Sequence, residues 1–194
     1  MILFNLALAP AFAILLFTYI KDKNKEPIYW LITFFLAGIL IAIPAALVSR
    51  INFRFMNIHV LPASVSEEFL KFLALALLTK KNKYIEERYD FIVCAVFIAM
   101  GFAAFENILY IFNDSLGGVN TAIIRAIFSV PSHAMFAVVM GYFFGKRKYF
   151  VALASAIVLH TAFNAFLRTY PRIFYIYFIF LGLFFIFLLK KIYK

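Results

Sequence analysis

Residues 91–112 read FIVCAVFIAMGFAAFENILYIF. Apolar or small residues run unbroken from Phe91 to Phe105; Glu106 and Asn107 interrupt them, and apolar character resumes to Phe112. As a helix this stretch is about 33 Å long, enough to cross a hydrocarbon core of about 30 Å. A surface helix of a soluble protein is apolar on one stripe only, whereas this one is apolar all round. It therefore belongs in lipid, and Glu106, which is costly there, must face a bundle interior or a wet cavity.

The rest of the chain agrees. Of 194 residues, 66% are hydrophobic and 14% charged, with a mean hydropathy of +0.97. A soluble domain of this size leaves too much of its area in water to hide so much apolar surface. Seven spans are expected, at 1–20, 28–49, 61–79, 91–112, 121–144, 150–168 and 172–190, all joined by short connections. The fold class is all-α: one polytopic transmembrane helical bundle, a single domain over 1–194. The first stretch lacks a charged leader and its lysines follow it, so it reads as a retained span rather than a signal peptide. The single cysteine, Cys94, sits in an apolar run and excludes a disulfide framework.

The net charge of +10 does not point to nucleic acid. Its carriers lie in short runs between apolar stretches, as topology signals do. Lys21, Lys23, Lys25, Lys80, Lys81, Lys83, Arg88, Lys146, Arg147, Lys148, Lys190, Lys191 and Lys194 all fall at one side. Arg50, Arg54, Arg168 and Arg172 fall at the other. The expected topology is a multi-pass protein of the cell membrane with its N-terminus outside and its C-terminus cytoplasmic. The segment INFRFMNIHV (51–60) suits the outer interface, with His59 a loop residue.

Ionisable groups inside the spans are Glu67, Glu68, Lys71, Glu106, Arg125, His133 and His160, with Asn107 and Asn164 beside them. Counted at ~1.5 Å per residue from the basic end, Glu67 rises roughly 20 Å, Glu106 24 Å, His133 18 Å and His160 16 Å. Four helices thus put polar groups at a similar depth in the outer half, which argues for one site. Lys71 lies at i,i+3 from Glu68 and i,i+4 from Glu67 and can reach either. The two glutamates point about 100° apart, so they have different jobs. Phe102, Glu106 and Tyr110 share a face, as do His160 and Asn164. Arg125, near the outer end of its span, can snorkel and is given no chemistry.

Three carboxylates gathered in a low dielectric cannot all be ionised cheaply. A charged one beside a protonated one can serve as base and acid on a bound water, and two histidines can support a developing oxyanion. These parts suit amide hydrolysis. The zinc-protease signature H-E-x-x-H is absent, as are a G-x-S-G stretch, an intramembrane aspartate pair and a phosphate loop. Zinc fits on other grounds, because two histidines and a glutamate form a known catalytic ligand set.

The ordered motifs SEEFLKF (66–72), FAAFENILY (102–110), VPSHAMFA (130–137) and HTAFN (160–164), preceded by TYIKDKNKEP (18–27), resemble the PrsW family of intramembrane proteases. That family is related to the CAAX prenyl endopeptidases and bacteriocin-immunity-like membrane proteins. Lys71 and Glu106 stand where CAAX-cleaving relatives usually have an arginine one residue later and a histidine. The resemblance implies an endopeptidase cutting a membrane-anchored protein, such as an anti-sigma factor, on its outer side. It implies Glu67 and Glu68 as the paired glutamates, then Lys71, Glu106, His133, and His160 with Asn164. Glutamate-type and metal-dependent routes both stay open.

The combined expectation is a membrane endopeptidase acting on a single-pass membrane protein within the bilayer. Glu67 or Glu68 activates water and Glu106 is the partner acid. His133 and His160 polarise the scissile carbonyl, while Lys71, Asn107 and Asn164 orient them. A metal, if bound, would take His133, His160 and Glu68. The alternatives are a proton-coupled transporter or channel, which needs polar groups reaching both faces, a CAAX-type prenyl protease, and a scaffold that binds a partner helix without cutting it.

Overall fold

The structure is a computed structural model that describes residues 2–50, 60–80, 82–112 and 118–192. The expectations for 51–59, including Arg54 and His59, and for loop residues 113–117 lie outside the described residues, as do Lys81 and Lys194. The described residues form seven helices: α1 (Ile2–Lys21), α2 (Ile28–Arg50), α3 (Val60–Thr79), α4 (Arg88–Ile111), α5 (Val119–Gly145), α6 (Tyr149–Thr169) and α7 (Pro171–Ile192). No strand occurs among the described residues. Six are long and apolar enough to cross a membrane; α3 is the exception, because Glu67, Glu68 and Lys71 lie within it. The protein is a multi-pass membrane bundle.

The stretch that opened the reading is the central post. From Ile92 to Ala104 every residue of α4 is buried, and α5, α2 and α1 pack around it. Large apolar side chains such as Leu40, Val158, Ile176 and Phe180 point outward instead, where lipid solvates them. The α2–α4 crossing is made by glycine. A Cβ on Gly38 would stand 2.0 Å from the carbonyl oxygen of Ile98, and one on Gly101 2.0 Å from that of Phe35. Only residues without side chains let two backbones approach so closely in a membrane.

Helix α5 departs from regularity at Arg125–Ser129, one π-turn whose last hydrogen bond runs from Val130 N–H to Arg125 O. Pro131 follows directly. Proline has no N–H and its ring crowds the carbonyl four residues back, so the widened turn accommodates it. It also rotates the N-terminal end of α5 relative to the rest. Helix α7 packs chiefly on α6 through aromatic rings: Phe174 meets Phe163 at 5.3 Å and Phe128 at 5.3 Å, and Tyr177 donates to Leu159 O at 2.7 Å.

Candidate active site

Helices α3, α4, α5 and α6 each contribute to one polar cluster in the half of the bundle that holds the N-terminus. Glu68 and Lys71 are one helical turn apart on α3 and pair at 2.8 Å, both almost fully buried. Lys71 Nζ also lies 3.1 Å from His133 Nδ1 and 4.2 Å from the centre of the Phe102 ring, on the ring's face. An ammonium only donates, so Nδ1 of His133 accepts and its Nε2 carries the hydrogen. Glu106 Oε2 accepts that hydrogen at 3.0 Å.

His160 is oriented from the opposite side. Its Nδ1 donates to Glu68 Oε1 at 2.8 Å, and its ring stacks on Phe136 with centroids 5.2 Å apart. Nε2 is thereby turned toward Glu67 Oε2, 3.9 Å away. The two imidazoles stand edge to face, 5.2 Å between centroids. Glu67 is buried, yet its Oε2 has no hydrogen-bond partner. An orphaned buried carboxylate oxygen calls for an occupant, since such groups are nearly always satisfied.

A cavity of about 520 Å³ meets the cluster, with Glu67, Glu106, His133, His160 and Asn164 in its wall. Tyr110, Arg125 and Arg168 line it farther toward the helix ends. Asn164 donates to Ser64 Oγ at 3.2 Å, so it braces α6 against α3 at the cavity edge.

The geometry gives three of these residues particular partners. Arg125, given no chemistry above, turns inward: it pairs with Glu106 Oε2 at 2.9 Å, donates to Asn107 Oδ1 at 2.7 Å and covers the Tyr110 ring at 4.2 Å. Its position in the π-turn, invisible to a regular 3.6-residue count, is what aims it. Glu106 Oε2 accepts from His133 and forms an ion pair with Arg125, so it sits as a carboxylate that orients His133. Glu68 Oε1 is shared by Lys71 and His160. Glu67 is the one that gathers with the imidazoles. Asn107 reaches the cluster only through Arg125, its amide donating to Ala7 O of α1 at 3.0 Å. Ser132, buried in the cavity wall with an unpartnered hydroxyl, is a further polar group whose neighbour His133 gave the only signal.

Glu67, His133 and His160 each offer one ligand atom, all within 4.8 Å of one another. The donor set suits zinc. Glu67 Oε2 is unpartnered and His160 presents a free Nε2, so both fit outright; His133 fits by exchanging Glu106 for the ion. Glu68 behind His160 is the outer carboxylate that metal-binding histidines usually have.

Comparison with known proteins gives the chain its family. The sequence pattern of the PrsW family intramembrane metalloprotease matches residues 26–189. The chain is similar to Protease PrsW of Oceanobacillus iheyensis, 37% identical over 147 residues, 73% of this chain and 67% of that protein. It is 33% identical over 184 residues to Protease PrsW of Clostridioides difficile (84% and 77%), and 30% identical over 149 residues to that of Bacillus subtilis (73% and 67%). No solved structure matches it. With a buried Glu–His–His cluster inside a helical membrane bundle and these relatives over most of its length, the chain belongs to the PrsW family of intramembrane metalloproteases and is a membrane peptidase.

Proposed function

We propose that the enzyme cleaves a single-pass membrane protein near the outer surface of the bilayer, with Glu67 as the group that activates water. The observation that carries this is the unpartnered Glu67 Oε2, buried and facing His160 Nε2 at 3.9 Å beside the cavity. A water placed there can give its proton to Glu67 while its oxygen attacks the scissile carbonyl carbon. As the tetrahedral species collapses, the C–N bond breaks and the proton passes from Glu67 to the leaving amine. Lys71 and Glu68 hold the two imidazoles, and Arg125 fixes Glu106 behind His133.

Glu67, His133 and His160 would hold the metal that the family description implies. When bound, such an ion lowers the pKa of its water and polarises the carbonyl. The outer-side assignment is supported by charge: the loops at the far end of the bundle carry Lys21, Lys23, Lys25, Lys80, Lys83, Lys146, Arg147 and Lys148, which marks the cytoplasmic face. An anti-sigma factor with one span is the substrate type that the family resemblance favours.

The test is a proteoliposome assay with single-span substrates carrying tags on both sides, the products identified by mass spectrometry. Cleavage in the half of the bilayer that holds the enzyme's N-terminus, lost in Glu67→Gln, supports the reading. Cleavage in the cytoplasmic half, or full activity in Glu67→Gln, removes it.

A further inference from the structure

Helix α5 turns one stripe of side chains to the catalytic cavity: Arg125, Ser129, Ser132, His133 and Phe136, spaced three and four residues apart along one helix face. Ser132 is 1% exposed, and its hydroxyl has no hydrogen-bond partner. Helical serines and threonines satisfy themselves by bonding back to a carbonyl three or four residues earlier. Thr18, Thr33, Ser66, Thr79 and Ser155 all do so here, at 2.6–2.9 Å. The carbonyl four residues before Ser132 belongs to Phe128, inside the π-turn, and the bond is not made. Among the described residues, Thr161 is the other buried hydroxyl without a partner, and it does not line the cavity. A buried polar group left unsatisfied in the wall of a reaction site marks a catalytic role or a partner that arrives with the ligand.

Hydrolysis supplies such a partner. Attack on an amide puts negative charge on the scissile carbonyl oxygen, which needs a donor aimed at it. The two imidazoles have no N–H to spare for it. His133 gives its Nε2 hydrogen to Glu106 and accepts from Lys71 at Nδ1. His160 gives its Nδ1 hydrogen to Glu68, which leaves a lone pair on Nε2. The Ser132 hydroxyl is a donor in the same wall with no acceptor of its own. It is not arranged as a nucleophile, since that role needs a base within hydrogen-bond reach and the hydroxyl has none.

We propose that Ser132 is a catalytic residue whose hydroxyl donates a hydrogen bond to the scissile carbonyl oxygen, a role that rests on the proposed activation of water by Glu67. As the water oxygen bonds to the carbonyl carbon, the C=O π pair moves onto the carbonyl oxygen and the Ser132 O–H points at it. The serine keeps its proton throughout. The hydrogen bond weakens again when the C=O bond re-forms and the C–N bond breaks.

Ser132→Ala, Thr161→Val and Glu67→Gln are compared with the wild type in proteoliposomes, on a single-span substrate that the wild type cuts. Ser132→Ala should lower kcat about 10²-fold and leave KM within about twofold, because the bond is made to the charged oxygen rather than to the ground-state substrate. Thr161→Val should cut at the wild-type rate. The Tm of Ser132→Ala should equal or exceed that of the wild type, since no hydrogen bond is lost. Wild-type kcat in Ser132→Ala beside an inactive Glu67→Gln overturns the role of Ser132 and leaves the water-activating role of Glu67 standing. A fully active Glu67→Gln removes both. A loss in Ser132→Ala carried by KM, or matched by a fall in Tm of several degrees, overturns the proposal in favour of substrate binding or packing. Covalent labelling of Ser132 by a fluorophosphonate overturns it in favour of a nucleophile.

Discussion

Replacing Arg125 by methionine tests whether the outer end of α5 belongs to the catalytic apparatus. The change keeps an apolar stem but removes the 2.9 Å pair with Glu106 and the 2.7 Å hydrogen bond to Asn107. Side-chain exposures are 11% and 18% for the pair, so most of the desolvation of Glu106 persists after its partner is gone. Deleting one member of a buried pair costs about 3–5 kcal/mol. Here Glu106 keeps His133 at 3.0 Å and has a cavity beside it for water, so about 2–3 kcal/mol is expected. For a chain of this size that lowers Tm by about 5–10 °C. A double-mutant cycle isolates the pair. With Glu106→Gln already present, the further cost of Arg125→Met should drop by about 1.5 kcal/mol or more. Cleavage of a tethered substrate should fall in both single variants, with kcat affected more than KM, because neither side chain is assigned a contact with substrate. If the Arg125→Met cost is the same in both backgrounds, Arg125 is only a snorkelling surface residue and the orienting role of Glu106 goes with it.

The two neighbouring glutamates should separate cleanly. Glu67→Gln should fold with unchanged Tm or gain stability, since its Oε2 is unpartnered, while cleavage drops by about 10²–10⁴-fold. Glu68→Gln should lower both activity and Tm, because it leaves Lys71 and His160 without their shared acceptor; equal Tm values for the two variants would contradict this division. Gly101→Val should prevent accumulation of folded protein in membranes, as its Cβ meets Phe35 O at 2.0 Å. A folded, active Gly101→Val enzyme would refute the backbone contact. Stability should also depend on pH through Glu26. Burial first, then its contact with Asp22, pushes its carboxyl up from 4.5 to about 8. A raised carboxyl binds its proton more tightly when folded, so its stabilisation is complete below pH ~4.5 and is lost as pH rises through ~8. Thermal stability should therefore worsen between pH 5 and 9, with Asp22 and Asp90 the facing charges, and Glu26→Gln should flatten that slope.

Much of this was readable in advance because membranes simplify the code. Apolar runs long enough to span marked six of the seven helices, α3 being read as a seventh span despite its three charges, and residue counting from the basic loops brought Glu67, Glu106, His133 and His160 to one level. The 100° offset between Glu67 and Glu68 separated their directions, and Lys71 at i,i+3 and i,i+4 narrowed its partner to two. What stayed hidden depends on tertiary choice. Nothing local tells Lys71 to take Glu68 rather than Glu67, since that follows from where His133 and His160 approach. The π-turn that aims Arg125 inward breaks the periodicity on which counting relies. Asp22 and Asp90 looked like ordinary span-end acids, because burial by a neighbouring loop leaves no mark on a residue's own surroundings in sequence.

Where two helices meet through side chains, they can slide a little by repacking. At Gly38 and Gly101 the chains touch carbonyl to Cα, and slippage by even one residue would drive a side chain into a peptide plane. Local bilayer thickness varies between membranes, and spanning helices ordinarily answer by tilting. The α2–α4 pair can tilt only as one body, carrying Glu106 with it. Hydrophobic mismatch must then be absorbed by peripheral helices such as α7, so the height at which a substrate is met should change little with lipid chain length.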